Sequence, residues 1–180
     1  MDFIKQNHCK PGLCAPFWCA THAAVRQSCA RKPPAARCLR NSTGLALATP
    51  ERRLFFSGDT GYGPHFVEIG QRLGPFDWVA LDMGQYDPRW ANVHMNPEQA
   101  AQAAEELHTK VLKPAHAGRF SISPHDWDDP FKRITAASQG RSYALWTPEI
   151  GRPVHLDGRA QTFVAWWAGV RRPADARKAA

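Results

Sequence analysis

Two residues of this 180-residue chain stand where ligand-type side chains would be useful. Asp59 follows the apolar run Leu54-Phe55-Phe56-Ser57 through Gly58, and His116 follows Lys110-Val111-Leu112-Lys113-Pro114 through Ala115. If both runs are strands, both side chains leave carboxyl ends, where the backbone stops and loops can aim groups into a crevice. Each has a plainer role open to it as well. Asp59 could cap the glycine-rich turn Thr60-Gly61-Tyr62-Gly63-Pro64, and His116 could be a hydrogen-bonded structural residue.

The surrounding text supplies elements to hold them. Gly44-Leu45-Ala46-Leu47-Ala48 and Arg53-Leu54-Phe55-Phe56-Ser57, joined by Thr49-Pro50-Glu51-Arg52, read as a hairpin. A short helix from about His65 to Leu73 puts Phe66, Ile69 and Leu73 on one face and is ended by Gly74. Phe76 to Met83 reads as a buried strand. After the loop Gly84 to Met95, Asn96 can cap a helix that takes Pro97 in its first turn and runs to about His108. Lys110 to Pro114 is the next strand. Beyond it the pattern predicts a helix from about Pro130 to Ser138, and strands near Tyr143 to Trp146 and Val154 to Leu156. A last helix, from about Ala160 to Gly169, would gather Phe163, Trp166, Trp167 and Val170 on one face. Strands alternating with helices make an α/β domain.

Four segments occur in order: Phe55-Phe56-Ser57-Gly58-Asp59-Thr60-Gly61-Tyr62, Gln85-Tyr86-Asp87-Pro88-Arg89-Trp90, His94-Met95-Asn96-Pro97-Glu98, and His116-Ala117-Gly118-Arg119-Phe120. Together they resemble the metallo-β-lactamase-fold hydrolases that include the N-acylphosphatidylethanolamine-hydrolysing phospholipase D and its bacterial relatives, over about residues 44–170. The ordered set is far more specific than Gly-Asp-Thr-Gly-Tyr alone. The resemblance implies an α/β fold, the C-terminal half of a metallo-β-lactamase αβ/βα sandwich. It also implies that Asp59 is catalytic and bridges two zinc ions, while His116 binds one of them. Two ions roughly 3.5 to 4 Å apart would lower the pKa of a shared water toward 7 and stabilise charge on a phosphoryl or carbonyl oxygen. Tyr86, Arg89, Trp90 and His94 would line the mouth of the site and meet substrate rather than metal. The implied substrate is a phosphodiester such as an N-acyl phospholipid; small-molecule lactones and other esters are alternatives within the same fold.

The departures matter as much. The family's His-x-His-x-Asp-His segment, which provides four ligands, has no counterpart, since no two histidines are separated by one residue. A further family histidine, expected roughly thirty residues before the bridging aspartate, is also unmatched: Gln27 and Ser28 stand there, and His8 lies too far upstream. A catalytic zinc needs about three protein ligands, so zinc is expected to be weakly held or absent and the chain incompetent as a hydrolase alone. The rival reading is a non-catalytic truncated product of an interrupted gene. An uncovered sheet face would also favour self-association. His65, His108, His125 and His155 look structural or exposed, and Asp126 to Asp129 read as a solvated loop.

Composition narrows the remaining classes. The net charge is +7, but residues 1–50 hold seven Lys/Arg against Asp2 alone, and the basic tail 171–180 holds four against Asp175. The middle is therefore slightly acidic, which argues against nucleic acid as a partner. No apolar run approaches the roughly 20 residues of a membrane-spanning helix, and Met1 to Lys5 lacks a signal-peptide core, so a cytoplasmic location is expected. All five cysteines lie within residues 9–38, and no two are separated by two residues as a zinc module would want. Residues 1–43 form an irregular Cys/Arg/Pro-rich segment, periodic at neither 2 nor 3.6 from residue 9. It reads either as a disordered basic extension or as text translated out of its ancestral frame; Phe17, Trp18 and the cysteines favour the latter. Pro11, Pro16, Pro33 and Pro34 interrupt helix and ladder alike. Limited proteolysis is expected to remove residues 9–43 first, and equal protection of residues 54–83 would contradict this.

Overall fold

The computed structural model describes residues 22–25, 44–120 and 122–170. The cysteine cluster and the tail 171–180 lie outside them. Six strands form one sheet in sequence order: β1 (His22–Val25), β2 (Gly44–Ala48), β3 (Arg53–Phe56), β4 (Trp78–Asp82), β5 (Val111–Ala115) and β6 (Ala144–Leu145). The first three pair antiparallel, and β3 to β6 run parallel. Parallel neighbours need crossovers. These are α1 (His65–Leu73), α2 (Pro97–Glu106) and α3 (Asp129–Ala137).

The β2–β3 hairpin expected from the sequence is present, and its turn is closed by Thr49, whose hydroxyl accepts from the Arg52 N–H at 3.0 Å. β1 falls in a stretch where the sequence shows no period; its place comes from pairing with β2 across residues 44–47. β4 is buried at all five positions, as a central parallel strand with both faces covered must be. Phe55, Val79 and Leu112 are register partners and so share one face. That face meets Phe66 and Ile69 of α1, four alanines of α2, and Phe131 and Ile134 of α3 in one apolar cluster.

Local chemistry explains the helix ends. Asn96 accepts from the Gln99 N–H at 2.8 Å while the Gln99 side chain accepts from the Asn96 N–H at 3.0 Å, a reciprocal capping box. α2 stops at Glu106, two residues before the expected end, because His108 takes a left-handed φ of +52°. Gly74 does follow α1, but in an extended conformation rather than a left-handed cap; its N–H still reaches the Gly70 carbonyl at 3.0 Å. Gly70 is where the first two crossovers touch, since a Cβ there would lie 2.0 Å from the Glu106 carbonyl oxygen.

Two expected elements are not formed. Residues 154–156 make no strand: the Gln161 side chain accepts from the His155 N–H and donates to its carbonyl, taking the place of a neighbouring strand. Residues 160–169 make no helix. Trp166 and Trp167 both pack on Phe131, with ring centroids at 5.1 and 4.9 Å. Consecutive residues of a helix point about 100° apart, whereas an irregular chain lets both rings grip one partner. Val170, assigned to the same apolar face, is exposed. No helix among the described residues is long and apolar enough to cross a membrane.

These contacts set two expectations for urea unfolding. Asn96→Ala should cost about 1 kcal/mol by removing the cap. Gly70→Ala should cost more, about 1 to 3 kcal/mol, because the added methyl pushes α1 off α2; equal or smaller loss would show that this contact can relax.

Candidate functional site

The site forms where β3, β4 and β5 end side by side. Asp59 lies three residues beyond β3, Asp82 is the last residue of β4, and His116 follows β5 directly. His116 Nε2 lies 3.4 Å from Asp59 Oδ1. This brings together the two residues that the sequence singled out. His94, expected to face substrate, joins them: one donor atom each from Asp59, His94 and His116 lie within 4.8 Å of one another.

Asp82 is the residue that the sequence reading passed over. It is 1% exposed, and its Oδ2 lies 2.7 Å from His94 Nδ1. The Thr60 N–H reaches the same oxygen at 3.4 Å, and the Asp82 N–H donates to Ser57 Oγ at 2.9 Å. Burial pushes the Asp82 carboxyl above the usual range, while the His94 bond and the nearby imidazoles pull it down. Its Oδ1 is buried with no hydrogen-bond partner among the described residues. An acid ending an apolar strand between two candidate ligand strands was the available signal.

Tight backbone approaches shape the surrounding loops. A Cβ on Gly61 would sit 2.6 Å from the Ala91 carbonyl oxygen, so glycine there lets the Asp59 loop lie against the segment leading to His94. A Cβ on Gly84 would sit 2.1 Å from the His116 carbonyl oxygen. His116 itself has φ of +60°, a left-handed conformation that few non-glycine residues adopt.

The other residues expected at the mouth are held by their own neighbours. Tyr86 is hydrogen-bonded to Asp129, stacks on His125 at 4.2 Å and lies under the Arg133 guanidinium at 4.6 Å. Arg89 pairs with Asp87 through two bonds of 2.8 and 2.9 Å and lies over the Trp90 ring. The Trp90 indole donates to the Gln85 carbonyl at 2.7 Å. Asp87 caps the short 3-10 turn Pro88–Trp90. These contacts give the loop a defined shape.

The Asp59–His116 pair has the spacing of two ligands on one divalent ion. Two ligands of a tetrahedral ion with bonds of about 2.1 Å lie about 3.4 Å apart, the separation found between Asp59 and His116. An imidazole whose Nδ1 is held by a carboxylate presents Nε2 outward, a common arrangement for metal-binding histidines. The profile of the beta-lactamase superfamily domain matches residues 17–117, more than half of the chain. The chain belongs to this superfamily.

The chain is also similar to several individual proteins. The uncharacterized protein Rv0906 of Mycobacterium tuberculosis is 36% identical over 134 residues, covering 71% of this chain and 36% of its own length. A UPF0173 metal-dependent hydrolase of Listeria welshimeri is 32% identical over 114 residues, covering 63% and 45%. The N-acyl-phosphatidylethanolamine-hydrolyzing phospholipase D 1 of Caenorhabditis elegans is 33% identical over 88 residues, covering 47% and 25%. The chain thus spans less than half the length of each of these relatives.

The network around Tyr86 can be read in alkaline titration. Burial first, and the Asp129 hydrogen bond second, push Tyr86 up to about 12; the Glu106 bond does the same to Tyr62, and burial raises Tyr143. A raised phenol favours the folded state fully below the unfolded value near 10 and loses that contribution as pH climbs through the folded one. None of the three tyrosines should therefore ionise at 10 by ultraviolet absorbance. Asp129→Asn should lower the Tyr86 step and leave the Tyr62 step in place.

Proposed function

We propose that this chain carries part of the active site of a zinc-dependent hydrolase, with Asp59, His116 and His94 holding one ion. The observation behind this reading is the convergence of one carboxylate and two imidazoles, one of them backed by the buried Asp82. When bound, the ion supplies a hydroxide nucleophile near neutral pH and stabilises charge on the substrate oxygen. Asp82 holds the His94 ring so that Nε2 is the nitrogen left for the site. Asp59, more than half exposed, offers a second oxygen to the open side, where a second ion would need donors from elsewhere. Three ligands suffice for one ion only.

A phosphodiester is the substrate favoured by the similarity to the phospholipase D, which is named for hydrolysis of an N-acyl phosphatidylethanolamine. A second reading of His94 is supported by its short bond to Asp82: the imidazole, kept oriented by a carboxylate, would protonate a leaving group. One variant separates the two roles.

Cobalt titration of the chain should show about one bound ion with a tetrahedral visible spectrum. Asp59→Ala and His116→Ala should each weaken binding more than about tenfold, since removing a ligand costs at least as much as removing its support. Unchanged binding in both would overturn the site. His94→Ala weakens cobalt binding if His94 is a ligand. If it is a proton donor, cobalt binding stays, and any hydrolysis that the chain supports falls for phosphodiesters with alkyl leaving groups but not for nitrophenyl ones.

A further inference from the structure

Gln85 is 4% exposed, and its side-chain amide is saturated by the loop that carries His116. Its Nε2 donates to the His116 carbonyl at 3.3 Å and to the Phe120 carbonyl at 2.8 Å. Its Oε1 accepts from the N–H groups of Ile122 and Ser123, at 3.0 and 3.2 Å. An amide offers two donors and two lone pairs, so one side chain uses its full capacity on a single loop. The nitrogen faces carbonyls and the oxygen faces N–H groups, so the orientation of the amide is determined by its partners.

Two side chains that flank the clamped N–H and carbonyl groups give the loop no inward anchor. Phe120 is 71% exposed and Ile122 67% exposed, so neither anchors the loop through a buried side chain. His116 meanwhile occupies left-handed backbone space, a conformation that a non-glycine residue keeps only when its surroundings over-determine it. The backbone of Gly84 lies against the His116 carbonyl, and the Gln85 amide then binds that same oxygen. The adjoining Gln85 carbonyl takes the Trp90 indole, which ties the clamp to the chain running toward His94.

The geometry points to Gln85 as a positioning residue that holds the His116 backbone in its left-handed turn and so sets Nε2 opposite Asp59. This rests on the reading of Asp59 and His116 as metal ligands. Gln85 touches neither metal nor substrate; it acts through the peptide unit of a ligand. Apolar packing could fill its space but could not bind four backbone groups, so the role requires the amide.

The test uses cobalt and the whole chain. Gln85→Met keeps length and removes all four hydrogen bonds, whereas Gln85→Glu keeps the acceptor for Ile122 and Ser123 and, when ionised, loses the donor to His116 and Phe120. Both should weaken cobalt binding about 10- to 100-fold, the range for support lost behind a ligand, and alter the visible spectrum while the thermal melt stays cooperative. Folded variants with wild-type affinity and spectrum overturn the proposal. Amide exchange of the wild type gives an independent readout that needs no variant to fold: slow exchange at Ile122 and Ser123 supports the clamp, and exchange at open-loop rates overturns it. Wild-type protein that shows no cobalt band, together with an unresponsive Asp59→Ala control, sinks the metal reading instead. The exchange measurement then decides the clamp by itself.

Discussion

Taking a carboxylate out of water costs several kcal/mol unless hydrogen bonds meet it, and Asp82 is such a carboxylate at the end of the central strand. Its contacts run to Ser57 and Thr60 after β3 and to His94 before α2. Two separate stretches of chain are therefore tied to the end of β4, Ser57 through the Asp82 N–H and Thr60 and His94 through its carboxylate. The tie also works in reverse: His94 is itself buried, and its imidazole has Asp82 to orient it. Leaving either partner alone would expose the other to the full cost of an unpaired buried group. That mutual need, rather than any surface ion pair, holds the crevice in one shape.

The sheet makes this possible by order and direction. With β3, β4 and β5 parallel and adjacent, their carboxyl ends are only strand spacings apart, about 4.8 Å each. Short loops from neighbouring ends can then meet without long excursions. Glycines at 61 and 84 permit the last approach, where backbone passes close enough to exclude any Cβ. The apolar cluster beneath, built from Phe55, Val79, Leu81 and Leu112 against the three crossover helices, keeps the strand ends in register.

The peripheral groups divide by what holds them. Tyr86, His125, Asp129, Arg133 and Glu98 form a polar and aromatic patch that links the loop after β4 to α2 and α3. The final stretch to residue 170 is fastened by tryptophans on Phe131 and by Arg52 donating to the Leu156 carbonyl at 2.7 Å. Neither group belongs to the ligand cluster.

Much of this was legible in the residues themselves. Alternating and continuous apolar runs marked β2 to β5, an Asn-Pro-Glu-Gln start marked α2, and Gly-Asp-Thr-Gly-Tyr with His-Ala-Gly-Arg-Phe marked Asp59 and His116, because period, cap and strand-end position are local properties of a sequence. The failures were of the opposite kind. Trp166 and Trp167 looked like a helical face but answer to Phe131; residues 154–156 looked like a strand but are satisfied by the Gln161 side chain. His94 was read as a substrate contact, and only the fold shows it within reach of Asp59 and His116. Asp82 and Gln85 carried little signal, since a buried acid and a loop glutamine have meaning only through partners up to 38 residues away. Which polar groups find each other across such separations is decided by the closing of the tertiary structure, where most buried donors and acceptors take a partner.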